Sequence, residues 1–245
     1  MNTTLPSKDR IAIVTGASSG IGLAIARALL AHGYRIVANA RSIRSSGVLD
    51  PSPRCTLVDG DVADPELGPR LAQAALDLGG RIDLLVNNAG IFVPGDFHTY
   101  PVEDYRRIVA TNADGFFFVT QPVVRAMLRQ DGGGHVVSIS TSLAAQPIAG
   151  VNAFGTYFTK GGINTVTRSL AIEYAGSGIR FNAIGAGIID TPMHAPESHE
   201  RLRQLHPIKR LGSVDEIVDT LLYLERAGFV TGEVIHVDGG THAGR

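Results

Sequence analysis

Apolar and polar positions along the 245-residue chain follow two rhythms. Short runs rich in β-branched residues recur at 11–15, 35–40, 55–59, 82–86, 134–140, 179–184 and 233–237. Between them, apolar residues return every three or four positions near 21–32, 65–78, 101–129, 154–175 and 214–226, with a short stretch near 197–205. The first rhythm predicts strands and the second amphipathic helices. Ile82-Asp83-Leu84-Leu85-Val86 is almost continuously apolar, as a strand is when helices cover both faces of its sheet. Alternation of strand and helix over most of the length predicts an α/β fold. Its core is a doubly wound parallel sheet of about seven strands with helices on both faces and right-handed crossovers.

No internal repeat, low-complexity tract or long linker divides the sequence, so 1–245 is expected to form one domain. Apolar residues make up 44% and charged residues 18%, the balance of an ordinary globular chain. A net charge of −1 gives no general attraction to nucleic acid or to an acidic membrane surface. The lone cysteine, Cys55, excludes an internal disulfide and reads as a small core residue. No apolar stretch reaches the ~18 residues of a membrane span, and Met1 to Asp9 is too short and polar for a secretion signal. The expected setting is the cytoplasm, with neither membrane nor nucleic acid as partner.

Chemistry enters with Thr15-Gly16-Ala17-Ser18-Ser19-Gly20-Ile21-Gly22, set between the strand Ile11-Ala12-Ile13-Val14 and the helix from Leu23 to His32. A glycine-rich turn there lets backbone approach a pyrophosphate and aims a helix N-terminus at its oxygens. The flanking strand and helix give the pattern its specificity. With Gly-x-x-x-Gly-x-Gly spacing and a Thr before it, the segment resembles the short-chain dehydrogenase/reductase family, whose fold is of the Rossmann type. Further matching motifs carry the resemblance over residues 10–240.

In such a sheet the end of the second strand meets the adenosine ribose, where an acidic residue favours NAD by bonding the 2′-OH. This chain reads Ala38-Asn39-Ala40-Arg41-Ser42, with Ala40 about where the family places the acid. Arg41 can pair with a 2′-phosphate, which points to NADP(H); the alternative is a solvated Arg opening a surface loop. Ser18 and Ser19 offer hydroxyls and Arg44 a second cation, but the basic residue many NADP-dependent members carry at Ser19 is missing. The resemblance assigns Gly16, Ser18, Ser19, Gly20, Ile21 and Gly22 to the phosphates and Asp61-Val62 to the adenine. Asn88, Ala89 and Gly90, within Asn87-Asn88-Ala89-Gly90, leave room for the cofactor after the fourth strand. Thr191, in Asp190-Thr191-Pro192-Met193, would reach the nicotinamide carboxamide. Ala186-Gly187 replaces the usual Pro-Gly, while the ending His236-Val237-Asp238-Gly239-Gly240 is typical of the family.

Carbonyl reduction needs a proton donor at the developing alkoxide and hydrogen bonds to stabilise it. The family supplies a Ser at the end of the fifth strand, a Tyr about thirteen residues later, and a Lys four residues beyond that. The Lys lowers the pKa of the Tyr and holds the ribose. Lys160, opening a Lys-Gly-Gly helix, matches the family's lysine, but four residues before it stands Thr156; Tyr157 is three before. Counting forward, Thr141 takes the place of the Ser, and thirteen residues on comes Phe154. The two counts disagree by two residues, which implies an insertion at the start of this helix.

Three readings follow. Tyr157 reaches the usual place through a bulge or loosened first turn, since positions i and i+3 still share a helix face. Alternatively Tyr157 is a packing aromatic, and a water held by Lys160 and Asn112, or a histidine of 194–206, delivers the proton. In the third reading the dinucleotide binds without redox chemistry. Ser140, Ser142 or Thr141 would bond the alkoxide, and Asn112 matches a family Asn that interrupts the long helix and holds a water. The candidate catalytic set is therefore Asn112, Ser140, Ser142, Tyr157 and Lys160. Residues 10–190 would form the cofactor core and 191–212 a substrate lid. Of the lid's His194, His199 and His206, His194 is the one expected at the pocket. Their spacings do not match a metal-binding helix, so no metal site is expected and the others read as solvated.

The resemblance thus implies an NADP(H)-dependent oxidoreductase interconverting a small-molecule ketone or aldehyde and its alcohol. Its rival is a dinucleotide-binding sensor or partner subunit with a degraded site. Association through 101–129 and 154–175 into a homotetramer or homodimer is implied in the same way, with Phe116-Phe117-Phe118, Gly161, Gly162 and the tail Thr241 to Arg245 as candidate contacts.

Overall fold

The computed structural model describes residues 9–244; residues 1–8 of the segment read for a secretion signal, and Arg245 of the C-terminal tail, lie outside the described residues. Seven strands form one parallel sheet: β1 (Ile11–Thr15), β2 (Arg35–Ala40), β3 (Cys55–Asp59), β4 (Leu84–Asn87), β5 (Gly134–Thr141), β6 (Ile179–Ala186) and β7 (Val234–Val237). Their order is β3-β2-β1-β4-β5-β6-β7, the doubly wound arrangement the alternation predicts. Six strands start within a residue of their predicted positions and end within two of them. β4 instead starts at Leu84, just after Asp83, whose carboxylate accepts from the Ile11 amide at 2.8 Å.

Strand alternation sorts the core into two layers. Ala12 and Val14 of β1 face α1 (Gly20–Ala31) and α8 (Val214–Arg226), where Ile25, Leu29, Leu221 and Leu224 are fully buried. Ile11 and Ile13 face the other way, onto α3 (Leu67–Gly79), α5 (Gly115–Met127) and α6 (Phe154–Tyr174), against Leu67, Leu71, Val119 and Met127. A short α2 (Ile43–Ser46), not expected from the sequence, follows β2, and α7 (His199–Arg203) lies in the segment after β6. Pro122 deprives the Phe118 carbonyl of its helical donor; a Cβ at Gly68 of α3 would land on that oxygen, so the glycine lets the two helices close.

The long helix expected over 101–129 is two helices, α4 (Val102–Val109) and α5, joined by a π-turn at Ala110–Asp114. Asn112 sits in that turn. The widened turn carries its amide to the loop after β4, where it accepts from Ile91 N at 2.9 Å and donates to Ile91 O at 3.0 Å. Among the described residues, no helix is long and apolar enough to cross a membrane.

Candidate dinucleotide and substrate cleft

Strand order reverses between β1 and β4, and a cleft of about 720 Å³ opens beyond their carboxyl ends. Thr15 ties its rim together. Its hydroxyl accepts from the Asn88 and Ala89 amides at 3.0 and 3.1 Å, while Asn88 Nδ2 donates to Thr15 O at 2.9 Å and Gly16 O at 3.2 Å. Gly16, Ser18, Ser19, Gly20 and Ile21 line the wall at the start of α1. Gly20 has φ +51°, backbone that suits glycine. Gly22 lies behind the wall: a Cβ there would strike Gly16 O and Asn88 Nδ2, so its role is close packing.

At one end of the cleft stand Asn39, Ala40, Arg41, Asp61 and Val62, all read from the sequence, together with Ser42, Ser45 and Ser46. Ser45 and Ser46 were missed because they depend on α2. The Arg41 guanidinium is exposed, and no hydrogen bond or ion pair among the described residues holds it. Arg44 is not on the wall: its Nε donates to Leu57 O at 3.1 Å and its backbone N–H to Asp59 Oδ1 at 3.0 Å, which draws it onto β3.

At the other end, Lys160 Nζ donates to Ile139 O at 2.7 Å. Burial pulls the Lys160 ammonium down from its ordinary 10.5 to about 8. Gly90 separates it from Asn112: a Cβ there would lie 3.2 Å from both Lys160 Nζ and Asn112 Oδ1. Asn112 itself is buried behind the wall, also donating to Thr159 Oγ1 at 3.2 Å, so it braces the Ile91 loop.

Ser140, Thr141 and Thr156 line this end; Ser142 and Tyr157 do not. Helix α6 is regular from its first turn, with Tyr157 N donating to Ala153 O at 3.1 Å, so there is no bulge to swing Tyr157 inward. The Tyr157 hydroxyl donates to Val151 O at 3.2 Å, away from the cleft. Ser142 is buried in the turn after β5. Ser140 Oγ and Thr156 Oγ1 are buried without a hydrogen-bond partner.

Thr191, Pro192, Met193 and His194 close this end. Burial and the neighbouring His199 hold the His194 imidazole below its ordinary value, against the pull of Asp190. His206 is not a solvated lid residue: it is buried, and its Nε2 accepts from Ile188 N at 3.0 Å, pinning the chain after β6. The residues fit an extended dinucleotide: close-approach glycines at the middle, an unpaired guanidinium at one end and a lysine at the other.

Comparison with known proteins gives the same assignment. A family model described as Enoyl-(Acyl carrier protein) reductase matches residues 16–242. The 2-(R)-hydroxypropyl-CoM dehydrogenase of Xanthobacter autotrophicus is 37% identical over 247 residues, covering 94% of this chain and 98% of that one. The chain belongs to the short-chain dehydrogenase/reductase family. Among solved structures, a putative short-chain alcohol dehydrogenase from Sinorhizobium meliloti superposes with TM-score 0.87 at 31% identity, covering 98% of each chain. ElxO with NADP bound superposes with TM-score 0.89 at 25% identity, covering 97% of this chain and all of that one. Short-chain dehydrogenases/reductases are oxidoreductases that bind a nicotinamide dinucleotide. Of the residues four and three positions before Lys160, Thr156 lines the cleft and Tyr157 bonds outside it.

Proposed function

We propose that the protein is an NADP(H)-dependent oxidoreductase that interconverts a ketone or aldehyde and the corresponding alcohol. The observation that carries the cofactor choice is Arg41, whose guanidinium lies unpaired on the cleft wall beside Ser42 and Ser45, next to Ala40 in the position of an acidic residue. A 2′-phosphate there gains charge-assisted bonds and meets no carboxylate at position 40. NADP-bound ElxO and the dehydrogenase name of the Xanthobacter relative agree with this reading.

When bound, the cofactor supplies or takes up the hydride. The protein's residues do the rest. The turn from Gly16 to Ile21 holds the phosphates, Asp61 and Val62 flank the adenine, and Thr191 meets the carboxamide. Lys160 orients the ribose and holds a proton at Nζ. Residues 191–212 cover the substrate, with His194 facing it. Exposed Phe117 of α5, with Phe158 and Ile172 of α6, supports association of copies through these helices.

Calorimetric titration with NADPH and NADH tests the choice. Wild type is expected to bind NADPH more tightly, and Arg41→Asp to lose about 10–100-fold of that affinity, one charge-assisted contact's worth. Equal or tighter binding of NADH by the wild type refutes it. A second reading, a dinucleotide sensor without turnover, is favoured by the outward Tyr157. It predicts NADPH binding with no oxidation of NADPH by any ketone.

A further inference from the structure

The chain after β6 makes a tight turn where it reaches the cleft. His194 N donates to Thr191 O at 3.0 Å, and His199 Nε2, on the first residue of α7, donates back to His194 O at 3.2 Å. The backbone of His194 is thus held from both sides. Its imidazole is not: the residue is half-buried on the cleft wall, and no hydrogen bond or ion pair among the described residues occupies its ring nitrogens. Ile91, Phe92, Ile189, Pro192 and Met193 line the same cleft with apolar surface. Of the other charged side chains on its wall, Arg41 and Asp61 stand at the far end, and Lys160 bonds to Ile139 O. Burial and His199 keep the His194 imidazole below its ordinary value against the pull of Asp190, so the ring is neutral near pH 7. A neutral imidazole has one nitrogen that donates and one that accepts, which suits a carbonyl or hydroxyl oxygen and gives a carboxylate no charge to pair with.

We propose that His194 selects the substrate by hydrogen-bonding a second, uncharged oxygen function on it, an ester, amide or hydroxyl group set apart from the reacting carbonyl. This rests on the oxidoreductase reading above and narrows its substrate class. The substrate is a ketone or aldehyde, or the corresponding alcohol, whose body is apolar enough to lie against Phe92, Ile189 and Met193 and which carries one further neutral oxygen group for the imidazole. A carboxylate in that place meets a neutral ring at pH 7. It gains a cation only as His194 takes up a proton, a step that burial and His199 oppose and Asp190 assists. Discrimination between a neutral ester and the matching acid is therefore strongest at neutral pH and weakens as the pH falls.

The test compares wild type with His194→Leu and His194→Asn on three ketones: ethyl acetoacetate, 2-heptanone, which has the same chain length without the ester oxygens, and acetoacetate, which carries a charge in their place. Their affinities for the NADP+ complex, in which no hydride can be given, are read by saturation-transfer NMR titration at about pH 7 and about pH 5, on either side of an imidazole's titration. NADPH affinity is measured alongside by calorimetry. The affinity ratio of ethyl acetoacetate to 2-heptanone should fall about three- to tenfold in His194→Leu, the worth of one hydrogen bond, and stay near the wild-type value in His194→Asn, which keeps a donor and an acceptor. Acidification should favour acetoacetate over ethyl acetoacetate more in wild type than in either variant; all three proteins retain Lys160, so its charge cancels from the comparison. A ratio unmoved by His194→Leu overturns the assignment. So does a response to pH that is the same in both variants as in wild type, or a wild type that binds NADPH but none of the three ketones at millimolar concentration. A wild type that binds neither NADPH nor NADP+ refutes the oxidoreductase reading and this assignment with it, whereas failure of the assignment alone leaves dinucleotide binding intact.

Discussion

Lys160 should cost the free protein stability at neutral pH, and replacing it with methionine exposes the amount. Its ammonium, half-buried on the cleft wall against a single backbone carbonyl, holds its proton only up to about pH 8, against 10.5 in the unfolded chain. At about 1.4 kcal/mol for each tenfold change in proton affinity, that difference amounts to roughly 3 kcal/mol against the folded state when both forms are charged. The folded value is the lower one, so between about pH 8 and about pH 10.5 the unfolded chain binds more protons and stability rises with pH. Lys160→Met removes this proton linkage. It also removes the bond to Ile139 O, but that loss is largely independent of pH and cancels when two pH values are compared. Urea denaturation without dinucleotide, at about pH 6.5 and about pH 9.5, should therefore show wild type gaining about 2 kcal/mol on the variant. An unchanged difference between the two pH values would refute an ammonium depressed by burial. A gain in the opposite direction would mean that an anion pairs with Lys160 in the folded protein.

Two other outcomes follow from the same coordinates. Gly22→Ala forces a Cβ onto Gly16 O and Asn88 Nδ2, so it should lower stability by about 1–3 kcal/mol, a melting temperature lower by roughly 2–10 °C, and weaken NADPH in calorimetry. Unaltered NADPH affinity would show that the turn does not hold the phosphates. At the opposite ends of the strands, the Glu225 carboxylate accepts from Tyr34 Oη at 2.6 Å and His135 Nδ1 at 2.5 Å and pairs with Arg10 Nη1 at 3.0 Å. Burial pushes the Glu225 carboxyl up, but His135, Arg10 and Tyr34 together bring it down to about 2. Glu225→Gln leaves Arg10 without its closest partner and should cost about 3–5 kcal/mol in denaturant melts, with NADPH affinity unchanged. A variant as stable as wild type would refute the network's role.

The fold was legible because its signals are local. Alternating apolar runs set the strands, and the residues at the ends of β1, β2, β3 and β4 meet in one cleft because parallel strands present all their carboxyl ends on one side. Features that depend on partners elsewhere were not legible. The resemblance put an interruption of the long helix at Asn112, but its form, a π-turn that answers to the backbone of Ile91, was not legible in Ala110-Thr111-Asn112. His206 reads as a polar loop residue, yet it is buried because Ile188 N needs an acceptor there.

Thr156 and Tyr157, four and three residues before Lys160, show the same limit. At about 100° per residue, position i−4 lies roughly 40° to one side of Lys160 around the helix and position i−3 roughly 60° to the other. Both share a face with the lysine, and only the direction of the cleft distinguishes them. That direction is set by the register of α6 on β5, where Lys160 reaches Ile139 O, together with a first turn that is already regular at Tyr157. With that register, the i−4 residue Thr156 is the one that lines the cleft with Lys160. In this chain the i−4 position holds Thr156, whose hydroxyl sits four carbons nearer its own backbone than a tyrosine's would.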